Sequence, residues 1–81
     1  MRRPNNNRGV AYNALGDNRQ AIRDFGRAIK RDPKYAQAYN NRGVAYDTLG
    51  DHRQAIKDYK TAAKLGYKPV QDFLKSQGIS W

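Results

Sequence analysis

The sequence predicts an all-α fold, in which helical hairpins repeat along the chain as a fragment of an α-solenoid. Three observations predict it. The segment Asn6–Lys30 recurs 34 residues later as Asn40–Lys64, with 17 of its 25 positions identical. Each copy spaces its apolar residues three or four apart, and each is divided near its middle by the tripeptide Leu-Gly-Asp, at Leu15–Asp17 and Leu49–Asp51. A period of this length marks units whose apolar faces become buried only by stacking on one another.

Caps and breakers predict five helices. Pro4 suits the first turn of a helix, and Gly16 suits the left-handed residue that ends one. Asp17 then caps a second helix, with Gln20 three residues later in a capping-box variant, and Asp51 repeats the arrangement. The helices are expected over residues of about 4–15, 18–30, 35–49, 52–64 and 69–77.

Short connections between helices of similar length favour antiparallel hairpins. We therefore predict three units: a first repeat over residues 2–34, a second repeat over residues 35–67, and a closing helix with a tail over residues 68–81. In the closing helix Val70, Phe73 and Leu74 are expected to face inward, and Gly78 to end the helix.

Composition bounds the class of protein. A chain of 81 residues has room for one small domain of marginal stability, so oligomerisation is an open question. It has no cysteine and no apolar run of the roughly 18 residues that a membrane span needs. We expect a soluble protein, with the cytoplasm as the compartment most compatible with the composition.

Sixteen Lys and Arg against seven acidic residues give a net charge of +9, which favours acidic or polyanionic partners.

The two copies share a residue pattern. The second copy has it at Tyr39, Arg42, Gly43, Tyr46, Ala55 and Tyr59. The first copy has it at Asn5, Arg8, Gly9, Tyr12, Ala21, Phe25 and Pro33. This pattern resembles the tetratricopeptide repeat, written W-x2-L-G-x2-Y, A-x3-F and P, over nearly all of residues 2–66. The resemblance implies two repeats followed by a C-terminal capping helix.

Three departures from the family pattern are informative. Arg8 and Arg42 replace a leucine, and each copy has an aspartate on its second helix, so we predict the ion pairs Arg8–Asp24 and Arg42–Asp58. Asn5 replaces the large aromatic residue that would insert into a preceding repeat. Gly66, Tyr67 and Pro69 replace the usual Asp-Pro junction. The helix that follows is expected to turn Gln71, Lys75 and Gln77 outward and so resembles a solvating lid on the array.

The resemblance also implies a concave groove lined by the first helix of each hairpin. The expected groove residues are Asn6, Asn7, Val10, Asn13, Gln37, Asn40, Asn41, Val44, Asp47, Thr48, Gln71, Leu74 and Lys75. Each asparagine carboxamide offers a donor and an acceptor to the backbone of an extended peptide. The competing interpretation is a merely solvated polar face. A clamp for a partner's C-terminal carboxylate is not expected, because Asn6 and Gln71 occupy its lysine positions.

The resemblance also implies a convex back, formed by the second helix of each hairpin. Most of the positive charge is expected on this surface. These residues are Arg19, Arg23, Arg27, Lys30, Arg31, Lys34, Arg53, Lys57, Lys60, Lys64 and Lys68. Such a stripe suits nucleic acid or an anionic membrane, but no aromatic residues interleave with it as a stacking platform requires. A solvated face that keeps a small domain soluble is the simpler interpretation.

The sequence predicts no catalytic, metal or cofactor site. It has a single histidine, His52, no cysteine, no glutamate and no glycine-rich phosphate loop. We therefore expect a non-enzymatic module that binds an extended peptide of a protein partner in the asparagine-lined groove. Two alternatives remain: a structural unit that self-associates through the exposed ends of the array, and a polyanion-binding protein that uses the basic back.

Overall fold

The computed structural model describes the backbone of residues 7–81 and the side chains of residues 16–81. The described chain is all-α and consists of four helices: α1 (Asn7–Arg31), α2 (Ala36–Thr48), α3 (His52–Lys64) and α4 (Lys68–Ser76). α1 packs on α2, α2 packs on α3, and α3 packs on α4. The predicted all-α class is confirmed, whereas the predicted number of five helices is wrong.

The difference lies at Leu15–Asp17. In place of the predicted turn, α1 runs through this tripeptide as one helix of 25 residues. The same three residues at Leu49–Asp51 do form a turn, in which Gly50 has a φ of 85°. A glycine inside a helix costs only about 1 kcal/mol relative to alanine, so the tripeptide permits both conformations. Packing against a partner helix decides between them, because most helical stability in proteins comes from such packing.

A side-chain cap stabilises the turn between α2 and α3, and a glycine lies where the two helices cross. Asp51 is the N-cap of α3, and its side chain accepts a hydrogen bond of 3.3 Å from the backbone N–H of Gln54. Gly43 lies where the two helices cross, and a Cβ atom there would come within 2.8 Å of Cε1 of Tyr59. The absence of a side chain at Gly43 therefore allows α2 and α3 to approach closely.

The hydrophobic core is formed by α3 and α4. Its buried residues are Ala55, Tyr59, Ala62, Ala63, Val70 and Leu74. Ile79 and Trp81 of the tail pack against this cluster, and the N–H of Ile79 donates to the carbonyl of Leu74 at 2.8 Å. Phe73, which we expected to face inward, is 43% exposed and contacts Tyr59 edge to face at 5.6 Å between ring centroids.

α1 is packed less completely than α3. None of residues 16–31 is buried. Ala21 and Phe25 are half-buried, whereas their counterparts Ala55 and Tyr59 in the second copy are 0% and 6% exposed. The second copy therefore forms a closed hairpin around a core, and the first copy does not.

Candidate functional site

One side of α2 carries the central residues of the predicted groove. Gln37, Val44 and Thr48 are exposed, and Asn40 and Asn41 are half-buried between them. These positions are three or four residues apart, so they form a single stripe along the helix. Val44 is 50% exposed, which is high for a β-branched apolar residue near the middle of a packed helix. The stripe therefore combines carboxamides with an accessible apolar surface.

Thr48 and Asp47 already have hydrogen-bond partners within the chain. The Thr48 hydroxyl donates to the carbonyl of Val44 at 3.0 Å, one turn earlier. The carboxylate of Asp47 contacts Nδ1 of His52 and accepts a hydrogen bond of 3.2 Å from the hydroxyl of Tyr59. Asp47 thus links α2 to α3 across the Gly50 turn.

Sequence reasoning assigned His52 no partner. The only available signal was its position, five residues after Asp47 across a tight turn. Asp47 also affects the ionisation of Tyr59. Burial, followed by the negative charge and the hydrogen bond of Asp47 and the charge of Asp58, raises the pKa of Tyr59 to about 12.

Behind the stripe, Arg42 pairs with Asp58 of α3 as predicted. Nε of Arg42 donates to Oδ2 of Asp58 at 2.8 Å, and Nη2 donates to Oδ1 at 2.9 Å. The guanidinium also lies 5.8 Å from the ring centroid of Tyr39 and 5.9 Å from that of Tyr46. The hydrogen bond to Asp58 holds the pKa of Arg42 above its ordinary value, against the opposing effect of partial burial.

The corresponding pair of the first copy, Arg8–Asp24, does not form within the chain. Both residues belong to α1, where sixteen residues of helix separate them by about 24 Å. The Asp24 side chain is 55% exposed and accepts hydrogen bonds from Gln20 at 3.0 Å and Arg27 at 3.3 Å. Because α1 does not fold back at Gly16, this prediction is wrong for a single chain.

The predicted groove residues of α4 are Gln71, Leu74 and Lys75, and they divide between the core and the surface. Leu74 is fully buried against α3, so its assignment to the groove is wrong. Nε2 of Gln71 donates to the carbonyl of Ala63 at 2.8 Å, and the side chain is half-buried. Lys75 is exposed. Of these residues, Lys75 is therefore accessible to a partner, whereas Gln71 attaches α4 to α3.

The remaining groove positions belong to the N-terminal part of the chain. Asn6 lies outside the described residues. Asn7, Val10 and Asn13 belong to α1, but their side chains lie outside the described part of the chain. Their contribution to a groove stays a prediction.

The basic residues are mostly exposed. Arg23 donates to Gln20 at 2.8 Å, Arg27 pairs with Asp24, and Lys60 is half-buried. The exposed remainder of the set is Arg19, Lys30, Arg31, Lys34, Arg53, Lys57, Lys64 and Lys68. No bonding pattern distinguishes these residues from an ordinary solvated surface.

Across residues 7–81, no helix is long and apolar enough to cross a membrane. Within the same part of the chain, no three His, Asp or Glu side chains are grouped as metal ligands would be.

Comparison with known families places the repeated segment in a recognised repeat family. A model described as tetratricopeptide repeat matches residues 6–69, which include both copies of the repeated segment. Comparisons with curated proteins and with solved structures give no significant match.

Proposed function

Because the chain belongs to the tetratricopeptide repeat family, whose repeats generally mediate protein–protein interaction, we propose that it binds an extended segment of a partner protein along the exposed side of α2. Members of this family are typically non-enzymatic scaffolds. The partner's backbone would lie on the stripe that runs from Gln37 to Thr48.

The observation that carries the proposal is the half-exposed Val44 beside two asparagines. The carboxamides of Asn40 and Asn41 can each donate to a carbonyl and accept from an N–H of an extended backbone. Val44 offers an apolar contact for one side chain of that segment. Since Asp47 is held by His52 and Tyr59, the stripe has little free charge, which favours a largely uncharged segment.

A peptide-display library tests this proposal. Ten-residue peptides selected on the immobilised wild-type chain would be labelled and titrated against variants by fluorescence anisotropy. Asn41→Ala and Val44→Asp should each weaken binding by roughly tenfold, because one hydrogen bond or one small apolar contact is worth about 1.4 kcal/mol.

Lys57→Ala is the matched control, since Lys57 is exposed on α3. It should leave the affinity unchanged. Selected peptides that bind Asn41→Ala and Val44→Asp as tightly as the wild type would place the interaction on another surface and overturn the proposal.

A further inference from the structure

One side of α3 carries only positive charge. Its residues are Arg53, Lys57, Lys60 and Lys64, spaced four, three and four positions apart. This spacing places them within about 60° of one another around the helix axis, in a line about 16 Å long. Lys60 is half-buried and the other three are exposed. We call these four residues the α3 stripe.

No carboxylate balances the α3 stripe. Asp58 is the one acidic residue within α3. Its side chain is turned away from the stripe, is bound by Arg42 of α2 and is 7% exposed. Within residues 16–81, no member of the stripe takes part in an ion pair. The stripe therefore holds its charges without a counter-charge from the chain.

This placement of charge differs from that of a surface that only keeps a protein soluble. Such surfaces mix both signs. The second half of α1 does so, because Asp24 accepts hydrogen bonds from Gln20 and Arg27. Like charges three or four positions apart on a helix repel each other and destabilise it. A polyanion bound along the α3 stripe would relieve that repulsion.

The rest of α3 indicates which polyanion fits. A membrane surface binds helices that insert a free apolar face, but Ala55 and Ala62 on the apolar face of α3 are both 0% exposed. A single strand needs aromatic side chains on which its bases stack. The one aromatic residue within α3 is Tyr59, which is buried in the core. A duplex presents its phosphates and needs neither feature.

We propose that the α3 stripe binds the phosphate backbone of duplex DNA, independently of base sequence. Its length of about 16 Å exceeds the width of about 12 Å of the major groove, so α3 can cross that groove with Arg53 and Lys64 at phosphates of opposite strands. The deep, narrow major groove of an RNA duplex does not offer this fit. Tyr59 lies against Gly43 of α2, so the stripe points away from α2 and from the proposed peptide site.

Fluorescence anisotropy of a short, labelled DNA duplex tests the proposal. Four phosphate contacts should make the logarithm of the association constant fall against the logarithm of salt concentration with a slope of about −3.6. The double variant Arg53→Gln, Lys57→Gln removes two contacts, so its slope should be about −1.8 and its affinity at low salt about tenfold weaker or more. It also removes a like-charge pair, so the helix should stay folded, which circular dichroism checks.

The double variant Arg31→Gln, Lys34→Gln is the charge-matched control, because both residues are exposed and lie outside the α3 stripe. It lowers the net charge by the same amount, but it should keep the affinity and the salt slope of the wild type. Equal losses for the two double variants would mean that net charge, and not the stripe, attracts DNA. That result would overturn the proposal, as would a wild type that does not bind the duplex.

Competition tests the choice of partner. Unlabelled DNA duplex should displace the labelled duplex at a lower concentration of negative charge than any of four competitors. These are single-stranded DNA, duplex RNA, polyglutamate and vesicles that contain phosphatidylserine. A competitor that displaces the labelled duplex more effectively than unlabelled duplex DNA would be the better partner for the stripe, and the proposal would then be wrong.

Discussion

The guanidinium of Arg42 on α2 forms a bidentate ion pair with the carboxylate of Asp58 on α3, through hydrogen bonds of 2.8 Å and 2.9 Å. The side chain of Asp58 is 7% exposed, so its charge is largely removed from water, whereas that of Arg42 keeps 23% of its exposure. Such a pair fixes how α2 and α3 face each other, because a buried carboxylate without its partner is costly.

The first prediction concerns this pair. Asp58→Asn should lower the free energy of unfolding by about 2–4 kcal/mol, because the guanidinium then lies half-buried without a counter-charge. Urea unfolding at one fixed protein concentration measures the change. Asp72→Asn, at an exposed carboxylate on α4, is the control and should stay within about 0.5 kcal/mol of the wild type. Equal losses for the two variants would mean that the ion pair does not stabilise the hairpin.

The second prediction concerns the crossing of α2 and α3. Gly43→Ala should destabilise the protein by about 1–2 kcal/mol, because the new Cβ would lie 2.8 Å from the Tyr59 ring and 3.2 Å from the carbonyl of Ala55. Gly26→Ala is the matched control within α1, where the nearest atom is Nη1 of Arg42 at 3.8 Å. It should gain up to about 1 kcal/mol from helix propensity. Thermal unfolding of both variants should give shifts of opposite sign, and shifts of the same sign would contradict the close crossing.

The third prediction concerns the attachment of α4. Leu74→Ala should cost about 2–5 kcal/mol, because Leu74 is fully buried against α3 and its truncation leaves a cavity. Phe73→Ala removes a larger side chain from the same helix, but Phe73 is 43% exposed, so the loss should be smaller. Urea unfolding of the two variants compares them directly. A greater loss for Phe73→Ala would mean that α4 packs through its other face.

The residues of the second copy could be predicted from the sequence because local and tertiary preferences agree there. Leu49–Asp51 offers a turn, Asp51 caps α3, and the arginine at position 42 needs the carboxylate at position 58. Each of these choices supports the same hairpin. A fold can be predicted from its sequence when local preferences and tertiary packing agree in this way.

The first copy could not be predicted in the same way, although its sequence is nearly the same. Leu15–Asp17 permits a turn but does not require one, and α1 continues through it. The outcome depends on which helix covers the face of Ala21 and Phe25, and that is a property of packing and not of the tripeptide. The contact of Asp47 with His52 was missed for a related reason, since two exposed polar residues near a turn carry no periodic signal.

The last prediction concerns the alkaline limit of stability. Tyr59 has a pKa of about 12 in the folded chain, because it is buried beside the carboxylates of Asp47 and Asp58. An unfolded tyrosine ionises near pH 10. Between these values the unfolded chain has lost a proton that the folded chain still holds, so the free energy of unfolding falls as pH rises. Below about pH 10 both states keep the proton, and this contribution is constant.

Tyr59→Phe removes this dependence. At neutral pH it should cost about 1 kcal/mol through the lost hydrogen bond to Asp47. Urea unfolding at a series of pH values from about 9 to about 12 should then show a shallower decline for Tyr59→Phe than for the wild type. The absorbance of phenolate, taken as the wild type minus Tyr59→Phe while helical circular dichroism confirms that both are folded, should titrate at about pH 12. A midpoint near 10 in that difference would mean that the Tyr59 hydroxyl is open to solvent and that Asp47 does not hold it.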